Sequence, residues 1–203
     1  MTLEKGEPAG SPQRNLRDDV RALGDLARSS REDIRSNRRL PDALVRNMCQ
    51  ANLFQLSLPR TLGGPEHHPL DTFDAVEAVS AIEGAIGWCA SISSSVSLFC
   101  GGWLPTEVSR ELFGAPPDAR CAGSVRAEGR AERVAGGYRV NGRWDFASGI
   151  NHARWMFCSC VLTENGAVVE NSRGQPRTRS LMIPREAVEL VDTWDVAGLE
   201  GTG

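Results

Sequence analysis

Apolar residues recur at helical spacing through the first half of the chain and at alternating spacing through the second. Leu16, Val20, Leu23, Ala27 and Ile34 follow a 3.6-residue repeat with charges between them, which predicts one amphipathic helix. Pro41 and Asp42 suit a first helical turn, and Leu44, Val45, Met48 and Cys49 supply the stripe of a second helix running to about Asn52. PRTLGGPEHHP, residues 59–69, reads as a loop, because its prolines and paired glycines interrupt regular hydrogen bonding. Asp71 is placed to cap a third helix that carries Phe73, Val76, Val79 and Ile82 inward. AIGWCASISSSVSLFC, residues 85–100, is apolar or small on every side, with Ser91, Ser93, Ser94, Ser95 and Ser97 as its only polar groups. That is the pattern of a helix buried all round. Pro105 opens a short helix through Phe113.

Beyond GAPPDA, residues 114–119, the period becomes two. RVAGGYRV, residues 133–140, predicts a hairpin turning at Gly136 and Gly137. Read as a strand, residues 138–147 place Trp144 and Phe146 on one face and Ala147 on the other. WMFCSCVLT, residues 155–163, is a nearly continuous apolar strand, a polar loop follows, and SLMIP and VELVDTW are two further strands. Helices first and strands second predict an α+β fold, an all-helical N-terminal domain followed by a mostly antiparallel β-domain. The expected division is a disordered N-terminus over 1–14, a helical domain over 15–116 and a β-domain over 117–203.

Composition narrows the function classes. A net charge of −3 supplies no concentrated positive surface, so neither nucleic acid nor an anionic membrane is expected as partner. Arg31, Arg35, Arg38 and Arg39 stand among Asp18, Asp19, Asp25, Glu32 and Asp33 and read as a solvated helix face. No apolar run is read as long enough to cross a bilayer and MTLEKGEPAGSPQR has no signal-peptide core, so a cytoplasmic location is expected. Cys49, Cys89, Cys100, Cys121, Cys158 and Cys160 lack the paired spacing of a zinc site and read as buried free thiols. The adjacent His67 and His68 have no third ligand nearby in sequence, and no metal is expected.

PRTLGG, GAIGWC, GGYRVNGRWDFASGINHARW and DTWDVAGLEGTG occur in this order between about Arg39 and Gly203. Together they resemble the acyl-CoA dehydrogenase superfamily, and within it the flavin-dependent monooxygenase branch that includes oxygenase components of hydroxyphenylacetate-type and steroid-ring hydroxylases. The resemblance implies an N-terminal helical domain, a middle β-domain and a C-terminal four-helix bundle, of which this sequence carries the first two. In that family the bundle holds the acid-base residues, so no catalytic acid or base is assigned here. The resemblance also implies flavin, FAD or FMN, supplied reduced by a separate flavin reductase. O2 and a small aromatic or polycyclic substrate to be hydroxylated complete the reaction, in a homo-oligomer that is tetrameric in full-length members. Two alternatives stand beside it: an acyl-CoA dehydrogenase acting on an acyl thioester, and a truncated, non-catalytic flavin-binding or interaction module. The dehydrogenases' Thr-Glu-Pro and Gly-Ser-Asp words are missing from AGSVRAEGRAERV, which weighs against an acyl-CoA substrate.

A flavin ring needs an apolar slot and a few polar groups at one edge. By the resemblance, Ser148 meets the flavin N5 edge; the strand reading makes Trp144 and Phe146 the apolar wall of the slot before it, Phe146 and Ala147 are expected among the flavin-binding residues, and Gly149 lets backbone and ligand approach closely. The other reading of Ser148 is a turn hydroxyl bonded to its own backbone. Ser124, in CAGS, is either a flavin-facing group or a strand-end hydroxyl in solvent. Trp88 lines the substrate pocket, or is a core indole whose N–H finds a carbonyl. His152 reads as a residue organising the turn rather than a catalytic base, and GLEGTG as a turn near the flavin rather than a phosphate loop, since no helix follows it.

Overall fold

The structure, a computed structural model, describes residues 16–114 and 118–203; the expected disorder over 1–14 lies outside these residues. Helices come first and strands second, as the period change implies. The single amphipathic helix expected at the start is two, α1 Leu16–Ser29 and α2 Arg31–Asn37. The chain bends at buried Ser30, and Ile34 reaches the core from the second segment. α3 Asp42–Gln50 buries Leu44, Val45 and Met48. After a 3-10 turn at Arg60–Leu62 comes α4 Pro69–Ile82, whose cap is His68, not Asp71: the His68 Nδ1 accepts from the Leu70 N–H at 3.2 Å. Starting the helix at Pro69 shifts its inner face, so Ala75 and Val79 are buried and Phe73, expected inside, is 68 % exposed.

α5 Gly84–Trp103 begins where Glu83 takes an extended backbone and accepts from the Ala85 N–H. The helix has 20 residues with mean hydropathy 1.2, long and apolar enough by those measures to cross a bilayer, which corrects the reading of the sequence; half of it is buried inside the protein. Nor is it buried all round. Ala85, Ile86, Cys89, Ala90, Ser93, Ser97 and Cys100 face inward, while Trp88, Leu98, Phe99 and Trp103 stand exposed on the opposite side. Uniform hydrophobicity states that a helix wants cover on every face, not which segment supplies it. α6 Thr106–Phe113 closes the helical part.

The strands are β1 Cys121–Val134, β2 Gly137–Asn141, β3 Trp155–Glu164, β4 Ala167–Val168 and β5 Thr178–Pro184, in one five-stranded sheet. β1–β2, β3–β4 and β3–β5 are antiparallel; the longest pairing, β1–β3, is parallel and makes the sheet mixed. The hairpin turns one residue earlier than expected, on Ala135 and Gly136, because Val134 pairs with Gly137 and only Gly136 has positive φ (81°). VELVDTW forms no ladder among the described residues: β5 ends at Pro184, a 3-10 turn follows at Arg185–Ala187, and the chain then runs on as irregular backbone along the rim of a cavity.

Helices and sheet are joined through α5. Ser93 is 1 % exposed; its hydroxyl faces the Phe54 and Ala119 carbonyls at 2.9 and 2.7 Å and accepts from the Cys121 N–H at 3.0 Å. Around it, Leu58, Leu62, Cys100, Phe113, Ala119, Cys121 and Phe157 form a core cluster contributed by both parts. At the same seam Asp118 binds Arg120 through two hydrogen bonds of 2.8 Å. Burial opposes ionisation of Asp118, but the hydrogen bonds and charge of Arg120, with Arg154 beyond, outweigh it and hold the carboxyl below its usual range.

Candidate functional site

The strand predicted over 138–147 ends at Asn141, and residues 142–154 form a loop and turn that lead to β3. The cause lies in two glycines. Trp144 lies across Gly129 and Gly142, where an added Cβ would come within 2.1 and 2.9 Å of its ring, and its indole N–H donates to the Ser159 carbonyl at 2.9 Å. Seating that ring pulls the backbone out of strand geometry, beside the register shifts of β1 between Ser124 and Gly129. Trp144 is thus an anchor of the loop, and it does not alternate with Phe146 on one strand face as expected. Phe146 is held at φ 60°, in the left-handed region, and is 63 % exposed, with the edge of Trp194 at 6.0 Å as its ring contact. A bulky residue at positive φ costs on the order of 1–3 kcal/mol, which the surrounding loop has to hold in place.

Two residues on, Ser148 opens a tight turn, in which the Ile150 N–H returns to the Ala147 carbonyl at 3.0 Å and the Gly149 N–H donates to the Thr202 carbonyl at 2.9 Å. Gly149 has φ 80°, and a Cβ there would sit 3.1 Å from His152 Nε2 and 3.6 Å from Cys89 Sγ. The turn therefore lies against α5, and from α5 the Trp88 indole N–H donates to Ser148 Oγ at 3.0 Å across 60 residues of sequence. The N–H of Trp88 finds neither solvent nor the backbone carbonyl expected of a core indole. It finds another residue that the sequence marks for the site.

Phe146, Ala147 and Ser148 border a cavity of about 1150 Å3 whose other walls are Tyr138, Met182, the rim segment 187–196 and Arg38 with Arg39. Gly149 lies buried behind this lining. Ser124 is not part of it: it is 5 % exposed within β1, in register with Cys158, so it is neither a solvent-facing hydroxyl nor a wall of this cavity. Trp88 stands outside the cavity lining and touches the site through Ser148.

The sequence missed the clamp on the far wall. Arg38, read as solvated, has φ 54° and donates to Asp192 Oδ2 at 2.6 Å and to the Trp194 carbonyl at 2.7 Å. Its own carbonyl accepts from the Gly203 N–H, and Arg39 bridges Thr202. GLEGTG is accordingly a turn that ties the helical part to the Gly149 backbone. The only signal for Arg38 in the sequence is its place between a helix and Leu40-Pro41, which is no signal for a long-range partner.

His152 has its Nδ1 buried without a hydrogen-bond partner and its ring 5.3 Å from that of Phe54. Burial, with the Arg120 charge in support, lowers its pKa to about 4, so it is neutral near pH 7. Burial likewise raises the thiols of Cys89 and Cys158 to about 12 and that of Cys100 to about 11, which leaves them as thiols rather than thiolate nucleophiles. Among the described residues no group of three or more His, Cys, Asp or Glu is poised to hold a metal.

Comparison with known proteins agrees with the architecture. Residues 11–101 match the acyl-CoA dehydrogenase N-terminal domain. The chain is 31 % identical over 187 residues to the oxygenase component of an FADH2-dependent resorcinol hydroxylase from Rhizobium sp., covering 90 % of this chain and 43 % of that protein. It is 33 % identical over 166 residues to the oxygenase subunit HsaA of a flavin-dependent monooxygenase from Mycobacterium tuberculosis, covering 82 % of this chain and 40 % of that one. Among solved structures, XiaF from Streptomyces sp., in complex with FADH2 and glycerol, superimposes with TM-score 0.83 at 27 % identity over 93 % of this chain and 46 % of its own. The chain spans less than half the length of these relatives.

Proposed function

For a chain that carries the N-terminal and middle domains of the acyl-CoA dehydrogenase superfamily, in its flavin-dependent monooxygenase branch, we propose that it forms the front part of the oxygenase component of a two-component monooxygenase. It takes reduced flavin, FAD or FMN, from a separate reductase, and with O2 hydroxylates a small aromatic or polycyclic substrate. In this proposal residues 15–116 are the helical domain and 117–203 the middle domain, and the protein works in the cytoplasm as a homo-oligomer.

One observation carries the reading. At the rim of the cavity a polar hydroxyl, Ser148, stands two residues from an exposed, conformationally held ring, Phe146. A flat heteroaromatic ring with one polar edge suits that pair. When bound, the flavin supplies the redox chemistry. The chain's own part is to hold and shield it. Phe146 and Ala147 offer an apolar face, and the Ser148 hydroxyl offers a hydrogen bond at the polar edge. The Gly149 N–H, bonded to the Thr202 carbonyl, ties the turn that carries that hydroxyl. The side-chain partner of Ser148 is an indole donor rather than a base, so the hydroxyl serves as a hydrogen-bonding group and not as a nucleophile.

The test is titration of the 203-residue chain with reduced and oxidised FMN and FAD, then incubation of the reduced complex with 18O2 and a phenolic substrate. Tight binding of reduced flavin with label in the product supports the monooxygenase. Bleaching of bound oxidised flavin by an acyl thioester under argon would instead support the dehydrogenase alternative. Binding without turnover leaves a flavin-binding module, and failure to bind either flavin in either state overturns the reading for this chain.

A further inference from the structure

We propose that Trp88 is a positioning residue for Ser148: its indole N–H occupies one acceptor position of the Ser148 hydroxyl and turns the remaining lone pair and the hydroxyl proton toward the cavity. This rests on the reading of Ser148 as the group at the flavin's polar edge.

A serine hydroxyl has one proton and two acceptor positions, and its proton rotates freely unless something restricts it. An indole has a single N–H and only donates. Once that N–H points at Ser148 Oγ, at 3.0 Å, the serine proton cannot answer it and must be directed elsewhere. Within a tight turn the ordinary destination is a local backbone carbonyl, which would spend the hydroxyl on the protein itself. Here the Ser148 hydroxyl makes no hydrogen bond to a backbone carbonyl of the described residues; its bond is the one from Trp88, and the residue borders the cavity. The cavity is the open direction.

Both ends of the bond are fixed independently of any ligand. Trp88 rides on α5, which is pinned to the start of β1 by Ser93 and to the loop before α4 by the Ser57 N–H donating to Ser94 Oγ at 3.1 Å. Ser148 rides on a turn held by Thr202 and close to Cys89, the residue after Trp88, where the positive φ of Gly149 and the His152 ring 3.1 Å from an added Cβ disfavour a side chain at 149. The indole stays 45 % exposed, so the bond is not a by-product of burying a tryptophan. An exposed indole N–H has water available, and its use on a serine across the seam between helices and sheet is a specific placement.

The test uses the 203-residue chain with Trp88→Phe, which keeps an aromatic ring and removes the donor, with Ser148→Ala, and with both. Two readouts separate the bond from its consequence. In 15N-labelled protein without flavin, the Trp88 indole resonance, assigned by its loss in Trp88→Phe, shifts in Ser148→Ala; an unmoved resonance overturns the proposal whatever flavin does. In anaerobic titrations, Trp88→Phe weakens reduced FMN or FAD by about three- to tenfold, the effect of one neutral hydrogen bond. In the Ser148→Ala background the same change has under about twofold effect, while Tm stays within about 1 °C of each parent. Equal losses in both backgrounds mean that Trp88 acts on the ligand or the fold without Ser148, and overturn the proposal alone. Failure of the unaltered chain to bind reduced flavin overturns the functional reading and this inference with it.

Discussion

Replacing Ser93 by alanine tests whether α5 is what holds helices and sheet together. In the folded protein its hydroxyl serves three backbone groups, the carbonyls of Phe54 and Ala119 and the N–H of Cys121, at 1 % exposure. A hydroxyl has one proton, so the two carbonyls share it, while the Cys121 N–H depends on the oxygen alone. Alanine leaves that N–H buried and unpaired, at a cost of about 1–3 kcal/mol, and removes one further hydrogen bond worth about 1 kcal/mol. The methyl group fits, so no strain is added and a loss of roughly 2–4 kcal/mol is expected. For a chain of this size that lowers Tm by about 4–16 °C. Urea unfolding followed by far-UV circular dichroism reads the change, with exposed Ser95→Ala on the same helix as control, expected within about 0.5 kcal/mol. A Ser93→Ala midpoint indistinguishable from that control would mean that the seam does not need this hydroxyl.

Three further outcomes follow from the same geometry. His152 has its folded pKa lowered to about 4, below the ordinary 6.5, so the unfolded chain binds the extra proton first; its contribution is full above pH 6.5, lost as pH falls toward 4, and amounts to at most about 3 kcal/mol. Urea unfolding at pH 7.5, 5.5 and 4.5 reads this slope, which His152→Gln flattens in that window; the Asp118 window lies lower, below its ordinary 3.8. Gly129→Ala puts a methyl group 2.1 Å from Trp144 Cζ2, which displaces the indole, costs about 1–3 kcal/mol and changes tryptophan fluorescence; an unchanged spectrum counts against Trp144 as the loop's anchor. Arg38→Ala removes the bonds to Asp192 and the Trp194 carbonyl, so limited proteolysis cuts the 188–196 segment faster while the global midpoint moves by no more than about 1 kcal/mol.

Much of the fold is legible because its signals are local. Periodicity locates α3 to α6, and the Gly-rich word near 136 locates the hairpin to within one residue. The failures share a physical cause. The bend at Ser30, the outward turn of Phe73 and the open face of α5 all depend on what packs against a helix, and a hydrophobic period reports only that something must. VELVDTW has the alternation of a strand yet joins no ladder among the described residues, although β2 and β5 each pair on one side only; alternation alone does not report whether a ladder forms.

The site divides along the same line. Phe146, Ala147 and Ser148 stand in one word and do border one cavity, because a short turn keeps sequence neighbours together in space. Ser124 is misplaced by the same logic, since a residue within a long strand faces whatever its register dictates, and two irregularities of β1 alter that register just beyond it. The contacts that give the site its shape are nonlocal: Trp88 to Ser148 over 60 residues, and Arg38 to Asp192 over 154. Neither leaves a trace in spacing. Yet the two differ in how far chemistry anticipates them. An indole N–H and a serine-bearing turn are complementary, and each of the two residues stands out in the sequence on its own account. Arg38 looks like one cation among many on an acidic helix, and only its left-handed backbone, a property of the folded chain, sets it apart as a residue held by a distant partner.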